Sequence, residues 1–172
     1  MPKNTKVHLF CYDDHRGFSG EVRKRFCDIS RYTVLSFQTR NEFLDRVKAE
    51  KDHNFCKVAI LGVHDSKEQI EIIYHLATEL KSIDSLTGII LLGAPDKIEE
   101  IKKSIEFNVE SYIPKNANSV LRIHNTVKRL ISEHNIKLLK RRRNLSLFIL
   151  TAFLLLSLLT ILISYFKFPG YF

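Results

Sequence analysis

Short apolar runs and longer stretches of spaced apolar residues alternate along this chain. The pattern centres on Val58-Ala59-Ile60-Leu61-Gly62-Val63, six residues with neither charge nor hydroxyl. A run that short and that uniformly apolar reads as a strand buried on both faces, as inside a parallel sheet. Residues 6–12 (KVHLFCY), 32–37 (YTVLSF), 88–93 (GIILLG) and 111–113 (SYI) read as four further strands. Between them the apolar spacing lengthens to three and four. Phe18, Val22, Phe26 and Ile29 predict a helix over 17–29. Phe43, Leu44 and Val47 predict one starting at Thr39 or Asn41. Ile70, Ile73, Leu76, Ala77 and Leu80 predict one after Ser66, ending near Ile83. Ile98, Ile101 and Ile105 predict one opened by Asp96. Val120, Ile123, Val127, Leu130 and Ile131 form the inner face of a last helix capped by Asn118 or Ser119. Strand and helix thus alternate five times over about 135 residues, which predicts a parallel sheet covered by helices on both faces.

The pattern changes at Asn144. From there to Phe166 no residue is charged, and residues 145–166 are almost entirely Leu, Ile, Phe, Ala, Ser and Thr. As a helix they span roughly 33 Å, the thickness of a bilayer's hydrocarbon core. A buried soluble helix of that length would keep a polar stripe. Neither Pro nor Gly interrupts residues 120–143, so the last helix is expected to run almost continuously into the span, with Asn135 or Asn144 as the places for a break. Ser157, Thr160 and Ser164 fall on one face of the span, a modest signal for helix association.

The net charge of +8 suggests a nucleic-acid partner until it is mapped. Residues 1–119 balance, with 18 Lys and Arg against 18 Asp and Glu, and residues 120–172 hold nine bases against one acid. Lys137, Lys140, Arg141, Arg142 and Arg143 precede the span and Lys167 alone follows it. By the positive-inside rule the N-terminal part is cytoplasmic and the tail lies on the other side. The same five cations are expected to contact anionic headgroups, which makes a nucleic-acid role for them unnecessary. Cys11, Cys27 and Cys56 form no close pair, and the expectation is reduced, buried thiols. The histidines show no metal-ligand spacing. No dinucleotide, nucleophile-elbow or zinc-protease motif occurs.

Four features stand at the ends of the predicted strands: Asp13-Asp14 after the first, Gly62-Val63 at the third, Gly93-Ala94 at the fourth and Tyr112-Ile113-Pro114-Lys115 at the fifth. In order and spacing they resemble the receiver domain of bacterial response regulators. The resemblance covers residues 5–133 and implies an α/β, flavodoxin-like, five-stranded parallel sheet in the order 2-1-3-4-5. In that family the acid pair holds Mg²⁺, strand four is followed by Thr or Ser and then Ala, and strand five commonly ends in Tyr-hydrophobic-Pro-Lys. The departures bear on chemistry. The family's phosphoacceptor Asp directly follows the apolar core of strand three, where this chain has Gly62. Gly93 replaces the hydroxyl that would contact the phosphoryl group. Asp13, Asp14, Gly93 and Lys115 are therefore expected to be a vestigial pocket, with at most weak Mg²⁺ binding by Asp13 and Asp14. Asp65 is the alternative acceptor, reached by slipping the match three residues. Otherwise Asp65 and Ser66 cap the next helix. His15 and His64 are placed to meet in the same pocket.

The organisation expected is a receiver-like domain over 1–133, a basic juxtamembrane helix over 134–144, a transmembrane helix over 145–166 and a short tail over 167–172. The function expected is a tail-anchored, phosphorylation-independent interaction or scaffold module of the bacterial inner membrane, not an enzyme. It would have a protein partner, a homodimer through the last helix and span included, and neither nucleic acid nor small-molecule substrate. Two alternatives stand beside it: an atypical phosphoacceptor using Asp65, and a small structural subunit of a membrane complex.

Overall fold

The computed structural model describes residues 6–13, 16–26, 30–51, 55–63, 67–105 and 109–167. The chain divides into two compact units, Met1–His134 and Asn135–Phe172. Its elements are β1 (Val7–Tyr12), α1 (Arg16–Phe26), β2 (Tyr32–Phe37), α2 (Arg40–Ala49), β3 (Cys56–Gly62), α3 (Lys67–Ile83), β4 (Gly88–Gly93), α4 (Ile98–Ser104), β5 (Ser111–Pro114) and α5 (Ser119–Lys167).

The five strands form one sheet in the order β2-β1-β3-β4-β5, and every pairing is parallel. This is the expected flavodoxin-like α/β arrangement. All residues of β3 and β4 are buried, because helices cover both faces of the sheet. Strand residues alternate between two cores. Phe10, Ala59, Leu61, Ile89 and Leu91 face α2, α3 and α4, where they meet Phe43, Val47, Ile73, Leu76, Leu80 and Ile101. Leu9, Cys11, Val58, Ile60, Ile90 and Leu92 face α1 and the first part of α5, where they meet Val22, Phe26, Ile123, Val127 and Leu130. Leu130 approaches β4 so closely that a Cβ on Gly88 would stand 2.9 Å from its Cδ1.

Element bounds differ from the sequence reading where side chains find distant partners. β3 begins two residues early, at Cys56, and takes in Lys57. Lys57 is 4% exposed. Its Nζ donates to Asp84 Oδ2 at 2.9 Å and to the Lys51 carbonyl at 3.0 Å, so a charged residue completes an otherwise apolar strand. α4 begins at Ile98 rather than Asp96, and its N-cap Lys97 makes no side-chain capping bond. Thr39 does cap α2, accepting from the Glu42 amide. Cys11 and Cys56 are free, buried thiols, whereas Cys27 lies outside the described residues. Burial, with the nearby Asp13 charge, pushes the Cys11 thiol up to about 12. Burial raises Cys56 to about 11, with Arg31 opposing the rise. Both stay protonated at neutral pH and are inert as nucleophiles.

In the second unit α5 is helical through both Asn135 and Asn144, the two places the sequence offers for a break. The helix is long and apolar enough to cross a membrane. Leu145, Phe148, Phe153, Leu155, Leu158 and Ile161 each expose more than half of their surface. The hydroxyls of Thr151, Ser157 and Thr160 donate to the carbonyls of Phe148, Leu154 and Ser157 at 2.9, 2.8 and 2.7 Å. Such back-bonding satisfies them without water. The side chain of Ser164 lies outside the described residues.

Asp84 gives the fold an acid sensitivity. Burial alone would raise its carboxyl. Hydrogen bonds from Lys57, the Leu86 amide and Thr87, with the Lys57 charge, outweigh that and hold it below the usual carboxylate range. A lowered folded-state pKa contributes stability that is present above the unfolded value and lost as pH falls through the folded one. Asp84→Asn leaves Lys57 buried beside a neutral amide and should cost about 3 kcal/mol in urea unfolding at neutral pH. The difference from the parent should shrink progressively below about pH 4.

Candidate functional site

The carboxyl ends of the strands form the edge where a sheet of this order places ligands, at the switch between β1 and β3. The register fixes what meets there. Tyr12 is level with Leu61, so Asp13, the next residue, is level with Gly62. Gly62 pairs with Leu92, and the Val63 amide donates to the Leu92 carbonyl at 2.7 Å. Gly93 is level with Pro114, and the Lys115 amide donates to the Gly93 carbonyl at 2.8 Å. Asp13, Gly62, Gly93 and Lys115 are thereby brought to one edge, as their positions in the sequence imply.

Neighbouring side chains stand against both glycines. The Asp13 side chain is 3% exposed, and its Oδ1 lies 3.5 Å from Lys115 Nζ. A Cβ on Gly62 would stand 2.6 Å from Asp13 Oδ1 and 2.7 Å from its Cγ. The carboxyl of Asp13 therefore occupies the volume that any side chain on Gly62 would need. A similar closure occurs at β4, where a Cβ on Gly93 would collide with Ile101 Cδ1 and stand 3.5 Å from Ile98 Cδ1. Ile101 is 1% exposed and belongs to the core. An isoleucine from α4 thus covers the place after β4 where a hydroxyl would act. The sequence named Ile101 only as part of a helix's inner face.

A hard divalent cation needs about six oxygen ligands and tolerates no ammonium among them. At the end of β1, beside Gly62, stands the carboxylate of Asp13, already facing Lys115. Among the described residues no three of His, Cys, Asp and Glu are grouped to hold a metal. Asp14, His15, His64 and Asp65 lie outside the described residues, as does Ser66. Four other histidines are placed elsewhere. His8 shares its Nδ1 with Glu50 near the start of β1. His75 is exposed on α3 beside Glu71. His124 and His134 are buried along α5. Burial, with Lys128 and Arg25 close by, holds His124 below the usual histidine range. Of the basic cluster, Lys137, Lys140 and Arg143 are exposed on α5, and the side chains of Arg141 and Arg142 lie outside the described residues.

No family model matches the chain. No curated protein sequence matches it either. Solved structures do. A response regulator receiver domain protein from Clostridium thermocellum superimposes with a TM-score of 0.59 at 15% identity, covering 76% of this chain and 98% of its own. A CheY-like receiver domain protein from Methanospirillum hungatei JF-1 gives 0.58 at 17%, covering 77% and 99%. An adenylate cyclase from Rhodopirellula baltica gives 0.64 at 12%, covering 80% and 96%. The fold is receiver-like. At these identities the likeness extends to the fold alone.

Substitution tests the closure directly. Gly62→Ala forces Asp13 out of place and should cost about 1–3 kcal/mol in denaturant unfolding. Combined with Asp13→Ala, which vacates the volume, the added cost of Gly62→Ala should fall well below its cost alone. Equal costs in both backgrounds would mean that the carboxyl does not occupy this space.

Proposed function

We propose that the chain is a membrane-anchored, receiver-like signalling module that works through protein contacts and not through phosphotransfer. The observation that carries this reading is the occupied space at the ends of β3 and β4. The residue at the end of β3 is a glycine whose side-chain volume belongs to Asp13, and the residue at the end of β4 is a glycine covered by Ile101. A phosphoryl group needs an acceptor oxygen, a cation and room, and among the described residues the ends of β3 and β4 offer two glycines packed against neighbours and the Asp13–Lys115 ion pair. Mg²⁺ would have to compete with Lys115 for Asp13. The module is not an enzyme on this reading. It engages a protein partner, a second copy through α5 included, and neither nucleic acid nor a small-molecule substrate.

The anchor is the uncharged stretch 145–166, long and apolar enough to span. Lys137, Lys140, Arg141, Arg142 and Arg143 before it against Lys167 after it orient the N-terminal domain to the cytoplasmic side of a bacterial inner membrane. Domain bounds of 1–133, 134–144, 145–166 and 167–172 follow from this reading. In alkaline carbonate extraction the full chain should stay with the membranes, and a version lacking residues 141–172 should be released.

The chemistry is tested with beryllofluoride and Mg²⁺ on the full chain in detergent. No saturable binding at millimolar concentrations is expected. Saturable binding that disappears in Asp65→Asn would sink the proposal and make Asp65 the acceptor of a functioning receiver.

A further inference from the structure

In the first unit, α1 and the first part of α5 pack on the same face of the sheet and meet in one core through Val22, Phe26, Ile123 and Val127. Where their solvent borders adjoin, an open groove of about 370 Å³ is lined by Glu21, Lys24 and Arg25 of α1 and Val120 of α5. Residues 21, 24 and 25 share one face of α1, and Val120, His124 and Lys128 follow one another turn by turn along α5. His124 joins the two stripes, since its ring centroid lies 5.4 Å from that of Phe26.

Packing alone does not account for a histidine at this seam. His124 is 9% exposed, and its Nδ1 is buried with no hydrogen-bond partner among the described residues. An atom left so costs free energy, and native structures seldom keep one without a use for it. Its charged neighbours have one sign. Burial, then Lys128 and Arg25, oppose its protonation, and no acid among the described residues offsets them. Lys24, Arg25 and Lys128 are exposed and make no ion pair among the described residues. Arg129, by contrast, is held by the Glu110 carbonyl at 2.9 Å and faces Glu133. Lys24 and Arg25 complement the dipole of α1 in its last turn. That does not explain Lys128, which lies inside α5, or the unpaired Nδ1. Glu21, exposed at one end of the groove, is its acid among the described residues, and Asp28 lies outside them.

We infer that the seam between α1 and α5 is an oxyanion site that takes the phosphate or sulfate group of a small soluble molecule. Lys24 and Arg25 from one helix and Lys128 from the other supply the charge, and His124 donates through a protonated Nδ1. Hydrogen bonds to an ionised acceptor are about twice as strong as neutral ones, and the fork of a guanidinium suits an oxyanion. A bound anion would satisfy the buried nitrogen and join α1 to α5 through groups that otherwise repel. The site shares no residue with the Asp13–Lys115 edge. It depends on neither the anchor nor the loss of phosphotransfer, and it gives the module an input that bypasses the strand ends.

Sulfate is the probe, because its charge stays constant while histidines titrate. It is added to the full chain in uncharged detergent, with ionic strength held constant by sodium chloride, and the histidine rings are followed by NMR. The His124 signals, assigned by their loss in His124→Phe, should shift saturably. Their titration midpoint should rise, since a bound anion favours the protonated ring among Lys24, Arg25, Lys128 and Glu21. Arg25→Gln and Lys128→Gln should each weaken binding at least about fivefold, and Glu21→Gln should tighten it about twofold, with unfolding midpoints as in the parent. By calorimetry His124→Phe, which keeps a ring against Phe26, should weaken it about tenfold. Lys137→Gln combined with Lys140→Gln should leave the affinity unchanged. No saturable shift up to about 50 mM sulfate would overturn the inference. So would parental affinity in both Arg25→Gln and Lys128→Gln, or a loss that follows Lys137 and Lys140 instead. The same His124 shift in phosphatidylglycerol nanodiscs without sulfate would overturn the assignment to a soluble ligand.

Discussion

Every residue of β3 is buried, and the strand has neighbours on both sides. A strand in that position exposes no face to water, so the sheet has to be covered twice. Each covering helix must bury one apolar stripe against it. The two cores, the alternation of side chains between them and the fully buried β4 all follow from that requirement. It also explains why a charged residue inside β3 needs a built partner. Lys57 is tolerated because Asp84 and the Lys51 carbonyl receive its ammonium.

The same close packing determines what the strand ends can do. Where β3 and β4 stop, in Gly62 and Gly93, the missing side chains leave room that the fold does not leave empty. Asp13 takes the first space and Ile98 and Ile101 cover the second. Protein interiors are packed as densely as organic crystals, so a deleted side chain at a buried edge is replaced by a neighbour or leaves a costly void. The receiver-like fold therefore coexists with an edge arranged around one ion pair, Asp13 to Lys115, and around aliphatic packing from α4.

The second unit holds a helix long and apolar enough to cross a membrane. Its apolar side chains are exposed, and the hydroxyls of Thr151, Ser157 and Thr160 are bonded to the helix's own carbonyls. This arrangement suits a hydrocarbon surrounding, where a polar group has no water to turn to. Along the chain, residues 1–119 are neutral in sum and the basic excess lies in residues 120–172, most of it just before the apolar run.

The order and type of the elements were legible in the sequence because burial writes itself into local patterns. Double burial demands unbroken runs such as 58–63, single-sided burial demands spacing of three and four, and an uncharged stretch such as 145–166 needs no neighbour to be recognised. The positions of Asp13, Gly62, Gly93 and Lys115 at one edge were also legible, since parallel strands must all end on the same side. What filled that edge was not. The Asp13 carboxyl over Gly62, Ile101 over Gly93, and Asp84 reaching Lys57 join residues from different elements. No local pattern records which side chain will enter a neighbour's volume. Those contacts were decided only when the sheet set its register and the helices were pressed onto it. Space and dielectric there are shared properties of the folded chain and not of any one segment.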